Sequence, residues 1–115
     1  MSILGSADRL AEALAHLGMT IDTRAETGDA GTSWTAKLLS KGVGACADKA
    51  EEEAGEFIQA LREESNERVA SEAADMLYHA LVALRVRGVS LDDVAAALEK
   101  RQGTSGIAEK ASRKG

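Results

Sequence analysis

Two stretches of this chain, Ala50 to Leu61 and Val69 to Leu84, read as helices built on one plan. Each carries two acidic residues three positions apart: Glu53 with Glu56, and Glu72 with Asp75. Three residues along an α-helix is about 60° around the axis and roughly one turn up it, so each pair projects from one face. On a wheel of about 100° per residue, Ala54, Phe57, Ile58 and Leu61 fall within roughly 80° of Ala50, while Glu53 and Glu56 fall near ~300° and ~240°. Counted from Val69, the residues Ala73, Met76, Leu77, Ala80 and Leu84 make the same stripe, and Glu72 and Asp75 take the same two angles.

The connection Arg62 to Glu67 (REESNE) is short and polar, so the second helix is expected to return antiparallel and set the two acidic pairs face to face. From Val69 to Leu84 that helix is apolar nearly all round, a pattern that predicts burial. Glu72 and Asp75 would then be carboxylates in or beside a core. Buried carboxylates take up a proton or find a cation, and two such pairs repel unless positive charge lies between them. A donor set of oxygens alone suits Mg²⁺ or Mn²⁺ far better than zinc or copper. Glu53, Glu56, Glu72 and Asp75 are therefore the candidate metal ligands.

The remaining composition points the same way. Proline is absent and aromatics are 3%, so the predicted class is all-α: a bundle of four to five helices with small-residue packing. At 115 residues the chain reads as one domain, 1–115, with a core modest enough that oligomerisation is an expected supplement. A net charge of -5 argues against general nucleic-acid binding. A single cysteine excludes an internal disulfide, no apolar run is long enough to span a bilayer, and the first residues lack a signal peptide's apolar core. The expected location is the cytoplasm.

In chain order, Ser6 to Leu17 is predicted to be an amphipathic helix capped by Ser6, with Leu10, Leu14 and Leu17 as its stripe, ending at Gly18. His16 reads as a surface residue near its end. Ile21 to Gly31 reads as a loop. Thr32 to Leu39 is a short capped helix, and Cys46 to Arg62 is the first acidic helix, capped near Asp48. Gly88 ends the second acidic helix, and Ser90 to Asp93 opens another by a capping-box pattern, with Leu91, Val94, Ala95 and Leu98 inward and a close at Gly103. His79, about one turn after Asp75, would either orient that carboxylate or be a satisfied structural histidine. Tyr78 reads as packing or an inter-helix hydrogen bond, and Trp34 as an anchor of the core or of a subunit contact. The last residues, from Lys100, reverse the charge of the chain.

Five ordered segments carry a resemblance: SWTAKLLSKG (Ser33 to Gly42), KAEEEAGE (Lys49 to Glu56), EAADMLYHALVAL (Glu72 to Leu84), RGVSLDDV (Arg87 to Val94) and SGIAEKASRK (Ser105 to Lys114). E-x-x-E followed by E-x-x-D on the next helix is similar to the metal-binding signature of the all-α MazG-type nucleoside triphosphate pyrophosphohydrolases. With its flanks, the chain resembles the phosphoribosyl-ATP pyrophosphohydrolase family. The resemblance implies hydrolysis of phosphoribosyl-ATP to phosphoribosyl-AMP and pyrophosphate, the second step of histidine biosynthesis, with Mg²⁺ (or Mn²⁺) as cofactor and a homodimer or higher homo-oligomer as the working assembly. It also implies that Glu52, which completes E-E-x-x-E, holds a water or acts as base. Lys37, Lys41 and Lys49, with Ser105, Lys110, Arg113 and Lys114 of the tail, would bind substrate phosphates. Departures occur at Glu51, where the family often has Gly, at Gly55, where a bulkier residue is usual, and at Trp34, often Tyr.

Two other readings stay open on these residues. A house-cleaning pyrophosphohydrolase of the same superfamily would share the metal site but act on other nucleotides. A non-catalytic helical interaction module would carry its acidic pairs as surface charge. A di-iron bundle lacks its E-x-x-H pairs, because His16 and His79 each lie four residues after an acid.

Overall fold

The computed structural model describes residues 7–103. Five helices account for it: α1 (Ala7–Thr27), α2 (Trp34–Ser40), α3 (Gly42–Glu63), α4 (Asn66–Arg87) and α5 (Leu91–Lys100). The all-α expectation is met, and among the described residues there is no strand. The α3–α4 hairpin is the most extensive contact, and α1 and α2 pack across it. Its connector is only Glu64 and Ser65, and Ser65 Oγ caps α4 by accepting from Arg68 N at 3.3 Å.

Helix α1 does not end at Gly18, and Ile21 to Gly31 is not a loop: the helix runs on to Thr27. A glycine within a helix costs only about 1 kcal/mol relative to alanine, and what lies beyond it offsets that. Ile21 is 2% exposed in the core, and Asp22 Oδ1 lies 2.9 Å from Arg85 Nε of α4. The hydroxyls of Thr20, Thr23 and Thr27 each donate to the carbonyl one turn back. Gly28 then lets α1 run close to α2, since a Cβ there would lie 2.4 Å from Arg24 O and 2.9 Å from Ala36 Cβ. Leu14 and Leu17 pack on the core as expected, whereas Leu10 is half exposed; Ser6 lies outside the described residues.

Ser33, not Thr32, caps α2, its hydroxyl accepting from Ala36 N at 3.1 Å. Helix α3 opens at Gly42, four residues before Cys46, with Lys41 as its N-cap and no side-chain cap; Asp48 lies inside the helix. Lys41 thus ends α2 and begins α3, and Gly42 makes the corner at φ 89°. What fixes the early turns of α3 is Cys46, fully buried, whose Sγ donates to Leu38 O at 3.2 Å.

The predicted inner stripe of α3 is corrected by the packing. Ala50, Ala54 and Phe57 of that stripe are half-buried, but Ile58 and Leu61 are 47% and 57% exposed, and the buried residues of the helix are Cys46, Glu53 and Ala60. A wheel ranks faces by apolar bulk, but two helices approach closely where side chains are small. On α4 the buried residues are Glu72, His79, Leu81 and Val82, so the helix is not buried all round; Val69, Met76, Leu77 and Leu84 are half-buried. The core cluster is Ile21, Leu38, Cys46, Leu81 and Val82, one or two residues from each of four helices.

Gly88 closes α4 in the left-handed region, φ 85°, and the full capping box of Ser90 and Asp93 opens α5, both as expected. The inward stripe of α5 is not observed. Leu91 and Leu98 are 40% and 59% exposed, Ala95 is exposed and Val94 only half-buried, and the helix ends at Lys100. Its amphipathic pattern survives, but among the described residues no other helix packs along it.

Burial pushes the Cys46 thiol above its ordinary pKa of 9.0, with the Lys41 charge pulling the other way. The sign is that of a raised group: the protonated thiol's contribution to stability is complete below the unfolded pKa and lost as pH rises through the folded one. Alkylation by iodoacetamide at pH 8 is accordingly expected to be slower in the native protein than in urea-unfolded chain by on the order of 10-fold or more. Equal rates, read by mass spectrometry, would show the thiol to be open to solvent.

Candidate active site

The face along which α3 and α4 pack is also the acidic one. Glu53 and Glu56 stand one turn apart on α3, and Glu72 faces them from α4; a carboxylate oxygen from each lies within 4.8 Å of the other two. Glu53 and Glu72 are 8% and 5% exposed, whereas Glu56 is open to solvent. Three carboxylates at this separation repel one another, which disfavours the charged form of the exposed Glu56. Its carboxyl is raised above the ordinary 4.5, first by a hydrogen bond with Glu53 and then by the charges of Glu53, Glu72 and Glu52.

Cations flank the trio. Lys49 Nζ lies 3.5 Å from Glu53 Oε1 and 3.4 Å from Glu52 Oε1. The Arg68 guanidinium bonds Glu72 Oε1 through Nη2 and Glu64 Oε1 through Nε, the latter at 3.2 Å. His79 Nε2 lies 3.9 Å from Glu53 Oε1. Burial lowers the His79 pKa from its ordinary 6.5, against the pull of Glu53 and Asp75, so its neutral form is favoured. Its ring meets Tyr78 edge to face at 4.8 Å, and the Tyr78 hydroxyl shares a hydrogen bond with Thr35 of α2. That contact is the inter-helix bond expected of Tyr78, and it ties α2 to the acidic seam.

One atom has no such relief: Glu72 Oε2 is buried without a hydrogen-bond partner. The Glu72 charge is paired with Arg68, but a buried acceptor left without a hydrogen bond still costs about 1–3 kcal/mol. A hard divalent cation would answer both that oxygen and the proton demand at Glu56. The donors are all carboxylate oxygens, as Mg²⁺ and Mn²⁺ prefer, so the residues fit such an ion. The apolar cleft of about 420 Å³ between α1, α4 and α5, walled by Ile21, Leu81, Leu84 and Val89, contains none of the trio. The candidate metal donors gather at the α3–α4 seam and not in this cleft.

The other residues singled out in the sequence are distributed as follows. Asp75 is exposed, outside the trio and, among the described residues, without a hydrogen bond to His79. Glu52 is 58% exposed in its side chain and paired with Lys49. Lys37 and Lys41 reach over the ring of Trp34, their Nζ atoms 5.9 and 5.8 Å from its centroid. Trp34 is half exposed, so it is not a core anchor. Ser105, Lys110, Arg113 and Lys114 lie outside the described residues. Sequence reasoning misses Arg68, which stands beside the polar turn; its place four residues before Glu72 is the available signal.

A helical hairpin with acids converging from both arms, and no apolar span long enough to cross a membrane among the described residues, is the frame expected of an all-α pyrophosphohydrolase. Comparison with known proteins agrees. The model of the phosphoribosyl-ATP pyrophosphohydrolase family matches residues 14–102, and the chain belongs to that family. It is 54% identical over 101 residues to a phosphoribosyl-ATP pyrophosphatase of Cereibacter sphaeroides, covering 87% of this chain and 96% of the relative. A Ruegeria phosphoribosyl-ATP pyrophosphatase is 54% identical over 100 residues, 87% of this chain and 94% of its own. One from Rhodobacter capsulatus is 50% identical over 101 residues, 88% and 97%.

Proposed function

We propose that this protein hydrolyses phosphoribosyl-ATP to phosphoribosyl-AMP and pyrophosphate, the second step of histidine biosynthesis, in the cytoplasm. The observation that carries the reading is the convergence of Glu53, Glu56 and Glu72 around a buried carboxylate oxygen with no partner, in a chain of this family. Those three, with Asp75 one turn beyond Glu72, would hold Mg²⁺, or Mn²⁺ in its place. When bound, such an ion supplies Lewis-acid stabilisation of the charge that develops on the phosphoryl oxygens.

The chain's own residues do the rest. Water must attack one phosphorus of the α-β anhydride, and a base must take its proton. Glu52 is open to solvent one turn from Glu56, and Lys49, bonded to Glu52 Oε1, leaves the second oxygen to accept that proton. Lys49 also offsets the charge of Glu53. Phosphates beyond the acidic seam require cations, and Lys37 and Lys41 are suited to hold them, since no carboxylate lies within 4.0 Å of either among the described residues. Ser105, Lys110, Arg113 and Lys114 complete the phosphate grip in this reading. A homodimer is part of it, since Ile58, Leu61 and Leu98 present apolar surface that one copy leaves uncovered.

The test is product analysis. Purified protein with phosphoribosyl-ATP and Mg²⁺ should release pyrophosphate and phosphoribosyl-AMP, and chelation by EDTA should stop it. Release of orthophosphate, or faster turnover of ordinary nucleoside triphosphates than of phosphoribosyl-ATP, would overturn the assignment.

A further inference from the structure

Arg68 stands in the first turn of α4, its backbone N–H on the Ser65 cap and its side chain directed at two carboxylates. Glu64, in the hairpin connector, holds the guanidinium at Nε; Glu72, one turn further along α4, receives Nη2 on Oε1. The Arg68 side chain is 56% exposed and that of Glu72 6%, so the contact runs from the surface into the seam. Glu72 thereby has one oxygen fixed and the other, Oε2, buried and unsatisfied. A glutamate has three side-chain torsions, and an unrestrained one would turn its buried oxygen toward any available donor.

We propose that Arg68 is a positioning residue: it pins Oε1 of Glu72 so that Oε2 stays presented to a divalent cation, with Glu64 as the anchor that holds the guanidinium in place. The inference rests on the metal-site reading given above. Two effects oppose one another here. A positive charge beside the site lowers cation affinity, but over half of the Arg68 side chain is exposed, where solvent and salt screen it. Loss of a group that orients a metal-ligating side chain typically costs about 10–100-fold in affinity. Positioning therefore outweighs repulsion, and the sign of the mutational effect separates the two roles.

The experiment titrates Mn²⁺ alone, without nucleotide, into the full chain by calorimetry, with melting curves recorded with and without the ion. Arg68→Gln should weaken Mn²⁺ binding by on the order of 10-fold. Arg68→Lys, which keeps the charge but loses the fork, should recover part of that, and Glu64→Gln should shift affinity the same way by less. Binding by Arg68→Gln as tight as wild type, or tighter, would make Arg68 a mere counter-ion and overturn the proposal. So would a lowered metal-free melting temperature with unchanged affinity, which marks a purely structural contact. Failure of the wild-type protein itself to bind Mn²⁺ would remove the metal site and this inference with it, a result distinguishable from failure at Arg68 alone.

Discussion

Glu72→Gln is expected to lower turnover of phosphoribosyl-ATP by on the order of 10²–10³-fold, the usual loss when one preorganised electrostatic group is removed from a reaction centre. On the metal-site reading proposed above, Mg²⁺ should raise the wild-type melting temperature and the same substitution should abolish that rise. An ion that binds only the folded state stabilises it by an amount that grows with the logarithm of its concentration over its dissociation constant. Without metal the sign differs. Glu72 adds to the charge on Glu53 and Glu56 and leaves Oε2 unsatisfied; a neutral amide removes the repulsion and can donate to its neighbours. Arg68 loses its partner, but a side chain 56% exposed is readily hydrated. The metal-free variant should therefore melt no lower than metal-free wild type. A variant that melts well below it while keeping the Mg²⁺ shift would make Glu72 a structural acid and sink the catalytic reading.

Ile21→Ala is expected to destabilise the protein by about 2–5 kcal/mol, the range for truncating a buried isoleucine to alanine. Ile21 is 2% exposed and packs with Leu38, Cys46, Leu81 and Val82, so the methyls lost leave a cavity among all four core helices. Met19, two residues earlier and 70% exposed, is the control: Met19→Ala should shift stability by no more than about 0.5 kcal/mol. Urea denaturation of both variants reads the difference. Similar effects at the two positions would mean that the second half of α1 is not docked.

That pair also marks where the sequence is legible. The two acidic helices, the tight hairpin, the Gly88 stop and the Ser90 capping box are local features, set within a turn or two by spacing and side-chain chemistry. The run of α1 past Gly18 is not legible in that way. A glycine and several threonines argue locally for a break, and the contrary term is a tertiary contact, Ile21 against residues distant in the chain. The rotation of α3 is hidden for a related reason: apolar bulk places Ile58 and Leu61 inside, whereas the closer approach is made along Cys46, Glu53 and Ala60. Which acids converge across the hairpin depends on that rotation. Spacing alone cannot rank Asp75 against Glu72, and Arg68 is overlooked because charges beside a turn read as hydrated.

Cys46, Glu53 and Ala60 follow one another at seven-residue intervals, so a single row of α3 both closes the hairpin and supplies a carboxylate to its seam. Engineering for heat resistance and engineering for turnover consequently collide at the middle of that row. If Glu53 serves as the metal ligand proposed above, an aliphatic residue at position 53 would knit the two arms together more firmly while leaving the catalyst inert, so selection for thermal endurance would have room on the flanks of this helix but none at its centre.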